Sequence, residues 1–245
     1  MKNTRNHRII LFPLIAAVSL ICTTACGRSS KDDRFERYRS QMVKNQIISR
    51  GISDSRVLAA MRTVPRHLFV PENYQRFSYA DRPLPIEENQ TISQPYIVAL
   101  MTELAELKTT DKVLEVGTGS GYQAAVLAEI CDSVFTVEIN ATLAQRAKTQ
   151  LKDLGYQNIF FKTGDGYLGW NEHAPYNAII VTCAPSDLPD QLASQLIDGG
   201  RLVIPHGPAT AQNLIIYRKQ NGYLIAEKSI PVRFVPMVDD SGKSY

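Results

Sequence analysis

The sequence predicts an α/β protein: a doubly wound, mostly parallel sheet with helices ahead of it and an antiparallel hairpin at its end. Three observations carry that expectation. From Lys112 onward, short apolar runs alternate with amphipathic segments, the order that builds parallel strands joined by crossover helices. A glycine-rich turn, Gly117-Thr118-Gly119-Ser120-Gly121, separates the first such strand from the helix that follows. Near the end, Asn221-Gly222 lies between two strand-like runs, a strong hairpin signal.

Taken in order, helical periodicity first appears in "FERYRSQMVKNQII" and again in "SRVLAAMRTV", which stops before Pro65 as a helix should. The sheet then reads strand "KVLEV", helix "YQAAVLAEI", strand "SVFTVEI", helix "ATLAQRAKTQLKDLG" and strand "NIFFKTG". Strand "NAIIVTC", helix "LPDQLASQLIDGG" and strand "RLVIP" follow, and "NLIIYRK" and "GYLIAEKSI" form the hairpin around Gln220-Asn221-Gly222. No internal repeat or long low-complexity tract interrupts this order.

The chain of 245 residues is 44% hydrophobic, enough to fill a substantial core, so general disorder is excluded. Its first residues differ from the rest. Lys2, Arg5 and Arg8 precede the apolar run "IILFPLIAAVSLI", then "TTA" and Cys26, the layout of a secretory leader. The run is short for a membrane span. The expected division is a leader over 1–25, a polar linker over 26–33 and one domain over 34–245. Without Lys2, Arg5 and Arg8 the formal charge falls from +3 to zero, so no overall basic footprint for nucleic acid remains. Cys22, Cys26, Cys131 and Cys183 show neither a disulfide framework nor zinc spacing, and the four histidines are scattered singly, so no metal site is expected.

The glycine turn is where backbone N–H groups can approach a ligand. It is not the dinucleotide fingerprint, because Tyr122 stands where that spacing needs glycine. Glu138 ends the second strand, 21 positions past Gly117, where a carboxylate can accept from both ribose hydroxyls of a nucleoside. Asp165, between Gly164 and Gly166, either aims its carboxylate at an exocyclic amine or makes an ordinary Asp-Gly turn. The stretch "YADRPLPIEENQTISQPYIVALM" crowds prolines and acids ahead of a helix. Its Thr91, Ser93 and Gln94 either cap that helix or face something bound.

Together "RHLFVPE", this proline-rich stretch, "LEVGTGSGYQAAVLA", "TGDGYLGW", "YNAIIVTCAP", "LVIPHG" and "VRFVPM" resemble the protein-L-isoaspartate O-methyltransferase family, in order and across nearly all the chain after Arg34. The glycine turn alone resembles only S-adenosylmethionine-dependent methyltransferases, with their Rossmann-like fold. The proline-rich segment narrows the resemblance, and in the family it contributes to the substrate pocket. The resemblance implies methyl transfer from S-adenosylmethionine to the free α-carboxylate of L-isoaspartyl residues in damaged proteins. The resulting ester collapses to a succinimide that partly returns to aspartate. It implies Ser93 as the active-site serine and Thr91, Ile92 and Gln94 as substrate-binding. Gly117, Thr118, Gly119, Gly121, Glu138, Asp165 and Gly166 would hold the cofactor. A carboxylate with a reference pKa of about 3.5 to 4 is already ionised, so no catalytic base is required.

Two departures stand out: "EEN" replaces a glycine-bearing turn between Ile86 and Gln90, and Cys183 replaces a small alanine. One competing reading, a nucleic-acid aminomethyltransferase, lacks its Asn/Asp-Pro-Pro-aromatic sequence, since "VTCAPSD" occupies that position. A binding protein that keeps the fold, or a methyltransferase for another carboxylate or nucleophile, are the other readings. The expected partners are isoaspartyl proteins and peptides, with no nucleic acid, a monomeric state, and membrane contact only through a lipid on Cys26. The leader places the protein in the cell envelope; the alternative is an uncleaved cytoplasmic extension.

Overall fold

A computed structural model of the chain describes residues 29–208 and 210–245. The leader and Cys26 lie outside these described residues. Helix α1 spans Ser29–Met42, opening inside the stretch expected to be linker, and its turns continue to Arg50, where Gly51 in the left-handed region ends them. Helix α2, Ser55–Thr63, starts where Asp54 accepts from the backbone N–H groups of Arg56 and Val57. It stops at Val64, which is extended because Pro65 follows. Helix α3 covers Pro95–Leu104.

Between α2 and α3, strands β1, Leu84–Pro85, and β2, Thr91–Ile92, pair antiparallel across the "EEN" turn. Glu88 and Asn89 both adopt φ of 55° there. The non-glycine residues take the left-handed conformation a glycine would adopt more cheaply.

The main sheet contains β3, Lys112–Val116; β4, Ser133–Glu138; β5, Ile159–Thr163; β6, Tyr176–Val181; β7, Leu196–His206; β8, Gln212–Gln220; and β9, Tyr223–Val232. Its order is β5-β4-β3-β6-β7-β8-β9, the first five strands parallel and the last two antiparallel. Helices α4, Tyr122–Ala128, and α5, Ala141–Asp153, join the strands on one side of β3. Parallel strands are covered on both faces, which is why their sequences are nearly all apolar. Val113, Val134, Ala178 and Ile180 pack with the helices, while Leu114, Val116, Val137, Ile179 and Val181 fill a second core on the opposite face. Because β3 lies between β4 and β6, chain order reverses there, and the carboxyl ends of these strands open a crevice suited to a ligand.

The hairpin expected from Asn221-Gly222 is present, with φ of 51° and 83° at the two residues and Gln220 paired to Tyr223. The helix expected over 188–200 is corrected. Only Asp190–Ser194 are helical, as α6, and β7 already begins at Leu196, opposite Tyr176. Gly199 and Gly200 explain this: two glycines weaken a helix, and Gly200 lies so close to the Asn177 carbonyl that a Cβ would sit 2.8 Å from it. The strand tolerates the pair by shifting register between Tyr176 and Ala178.

Candidate functional site

At the crevice, a cavity is walled by Gln90 to Ser93, by residues 116–120, by Tyr122 and Gln123, by Val137 to Asn140, and by Leu143, Gly166, Thr182, Cys183 and residues 235–238. Its floor is the turn after β3. Gly117 has φ of 93°, and a Cβ on it would lie 2.5 Å from the Thr182 hydroxyl oxygen, so only glycine fits. Gly121 does not line the cavity; it starts α4, and a Cβ there would meet Leu151 of α5 at 2.9 Å. Its role is to let the two helices pack closely.

Glu138 ends β4 at 7% exposure. Its Oε2 accepts from the Gly119 N–H at 2.8 Å and its Oε1 from the Asn140 N–H at 3.0 Å. Each carboxylate oxygen retains a further acceptor site toward the cavity. Asn140 in turn caps α5 by accepting from the N–H groups of Thr142 and Leu143. Asp165 stands one residue before the cavity wall at Gly166. Its Oδ1 accepts from the Tyr167 N–H at 2.9 Å and its Oδ2 from the Tyr245 hydroxyl. The Tyr245 ring stacks on Tyr167 with centroids 4.1 Å apart. Burial pushes the Cys183 thiol up to about 12, with added repulsion from Glu138 and Asp165, so the thiol is neutral.

Beneath the turn lies a polar thread. Thr118 and Thr136 hydroxyl oxygens are 2.5 Å apart, and Thr136 donates to Glu115 Oε2 at 2.5 Å. Glu115 is fully buried, and burial raises its carboxyl to about 8, helped by the nearby Glu138 charge. A folded-state value above the ordinary 4.5 means the native protein holds a proton that the unfolded chain releases. That contribution to stability is full below about pH 4.5 and is lost as pH rises toward 8. Glu115→Gln is therefore expected to flatten the decline in melting temperature between about pH 5 and pH 9. Parallel melting curves for parent and variant across that range would contradict it.

Ser93 and Thr91 reach the cavity with Ile92 between them. The cap position of α3 belongs to Gln94, no side chain caps the helix, and Pro95 occupies its first turn. The capping alternative for Ser93 is thereby removed. Gln94 does not line the cavity; its amide donates to Asp81 Oδ1 at 2.7 Å and to the Asp81 carbonyl at 3.2 Å. Sequence reasoning named Thr91, Ile92, Ser93, Gly117, Thr118, Gly119, Glu138 and Gly166, which the fold brings together. It missed Asn140, Thr182 and the wall from Val235 to Val238. That last segment is carried in by hydrogen bonds from the Ala184 N–H to the Val235 carbonyl and from the Met237 N–H to the Ala184 carbonyl, at 2.8 and 2.9 Å. The motif "VRFVPM" is the only sequence signal for it. Among the described residues, no group of three or more His, Cys, Asp or Glu could hold a metal ion.

Comparison with known proteins agrees with this geometry. A curated protein-L-isoaspartate O-methyltransferase from Opitutus terrae is 56% identical over 223 residues, covering 91% of this chain and 96% of that protein. A solved protein-L-isoaspartate O-methyltransferase superposes with a TM-score of 0.74 at 31% identity, covering 83% of this chain and 67% of that one. A Plasmodium falciparum protein solved in complex with S-adenosyl-L-homocysteine has a TM-score of 0.71 at 27% identity, covering 82% of this chain and 97% of that one. The model of the protein-L-isoaspartate(D-aspartate) O-methyltransferase family matches residues 37–242, and the chain belongs to that family.

Proposed function

We propose that the cavity brings the free α-carboxylate of an L-isoaspartyl residue against S-adenosylmethionine, and that Ser93 is the side chain that orients this carboxylate. The chain is an S-adenosylmethionine-dependent protein-L-isoaspartate O-methyltransferase, a repair enzyme for damaged proteins. One observation carries the residue assignment: Ser93 stands in the wall of the glycine-floored cavity and is not the cap of α3.

The residues present fit the cofactor. Gly117 provides a floor on which a side chain would clash, and Glu138 keeps acceptor capacity for two ribose hydroxyls. Val116, Val137, Leu143 and Met237 supply apolar surface for a ring, while Asp165 lies outside the lining and already accepts from the Tyr167 N–H and the Tyr245 hydroxyl. When bound, S-adenosylmethionine supplies a methyl group on a positively charged sulfur. The protein's own task is alignment and exclusion of water. No histidine or lysine is among the described residues lining the cavity, and an ionised carboxylate needs neither. Ser93 donates its O–H to the substrate carboxylate, and exposed Thr91 lies at the mouth where a peptide enters.

Calorimetry with S-adenosylmethionine, run beside transfer of labelled methyl to an isoaspartyl peptide, tests this reading. Binding together with transfer is expected; binding without transfer leaves a cofactor-binding protein instead.

The enzyme works in the cell envelope, lipid-anchored through Cys26. Support comes from the positive start, the apolar run and the "TTAC" box, in which Ala25 is small and Thr23 departs from the usual leucine-like residue. Fractionation of the native host with mass analysis of the mature N-terminus is expected to find a lipidated Cys26 in the envelope. A cytosolic protein retaining Met1 would overturn the assignment.

A further inference from the structure

Arg66 is wholly buried and does not line the cavity, yet it touches two residues that do. It opens the turn Arg66–Phe69 directly after Pro65. Its Nε donates to the Ser78 carbonyl and its Nη2 to the Ser93 carbonyl, both at 2.7 Å. Its guanidinium carbon lies 4.8 Å from the ring centroid of Tyr122, part of the cavity wall. Burial lowers its pKa to about 10, so it remains a cation at neutral pH.

A buried cation held by neutral carbonyls and a phenol ring is a poor way to gain stability. Desolvating the charge is expensive, and an apolar side chain of similar volume often does as well or better. What an apolar residue cannot do is tie two backbone carbonyls in one planar fork. Ser78 and Ser93 bracket the proline-rich segment that carries β1 and β2, so a single side chain pins both of its ends. Fixing the Ser93 carbonyl fixes the backbone from which its hydroxyl projects.

We propose that Arg66 is a positioning residue for methyl transfer, setting the place of the Ser93 hydroxyl in the cavity through its bond to the Ser93 carbonyl. This inference rests on the reading of Ser93 given above. It acts on substrate orientation and not on the cofactor, whose floor and ribose partner lie on β3 and β4.

The test is a double-mutant cycle with Ser93→Ala, using full-length protein and an isoaspartyl peptide. Arg66→Lys keeps the charge but cannot span both carbonyls. It is expected to lower kcat by about tenfold or more, with S-adenosylmethionine affinity held within about twofold. In the Ser93→Ala background the same substitution is expected to change kcat by less than about threefold, because the group it positions is gone. Equal losses in both backgrounds, an unchanged kcat, or a parallel loss of cofactor affinity would each overturn the proposal. A Ser93→Ala variant with full activity would overturn the reading of Ser93 itself, and with it this route of action. If Arg66→Lys does not fold, Arg66→Met carries the same cycle. Failure of both to fold makes Arg66 a stability element and refutes the inference.

Discussion

Replacing Glu138 by alanine is expected to weaken S-adenosylmethionine binding by about 1 to 3 kcal/mol, the scale for losing a hydrogen-bond partner that carries charge. The effect has two physical sources. The carboxylate stands at the end of β4 with acceptor capacity left for the ribose, and it also holds the Gly119 and Asn140 N–H groups. Removing it would take away the proposed ribose contact and free the glycine turn that forms the cavity floor. The turn retains its bond from the Gly117 N–H to the Val137 carbonyl at 2.9 Å, so the fold is expected to persist. Calorimetry on a variant shown by its melting curve to be folded checks the prediction. Parent-like affinity in such a variant would remove Glu138 from the cofactor site.

Ser93→Ala is expected to lower methylation of an isoaspartyl peptide by about ten- to a hundredfold, the loss that follows when a hydrogen bond to a charged group is removed. Cofactor affinity should stay nearly constant, because the cofactor partners sit on other elements. The geometry also sets what should not change. Gln94 holds the cap position of α3, so the loss of about 1 kcal/mol typical of a removed serine cap is not expected. A variant that loses that stability but keeps its single-turnover rate would show Ser93 to be structural.

Much of the cofactor half was legible because its physics is local. The runs in β3, β4 and β6 are mostly apolar since both faces of a parallel sheet are covered, and the glycines of the turn declare a left-handed backbone that other residues adopt only at a cost. Glu138 followed from spacing once the turn was placed. The misreadings were non-local. Leu196 to Gly200 continue a helical pattern in sequence, yet pairing with β6 pulls them into β7; the Gly199-Gly200 pair is the one local sign of a weak helix, and the pairing itself is not local. Val235 to Val238 enter the cavity through a bridge to Ala184, roughly fifty residues away in sequence, so their part in the wall is a property of the closed fold. Arg66 gives no sign of its burial in sequence, where an arginine beside a proline at a helix end reads as exposed. The "EEN" turn departs from the family pattern, and the fold accommodates it by placing Glu88 and Asn89 in the left-handed region, with Glu88 accepting from the Asn140 amide at 3.2 Å.

The most direct test of the central claim compares two peptides identical except for isoaspartate or aspartate at one position, each incubated with the enzyme and labelled S-adenosylmethionine. Methyl incorporation into the isoaspartyl peptide is expected, followed by loss of the ester as succinimide forms, with none above background in its aspartyl twin. Equal labelling of both peptides, or labelling of neither by an enzyme that binds S-adenosylmethionine, would contradict it.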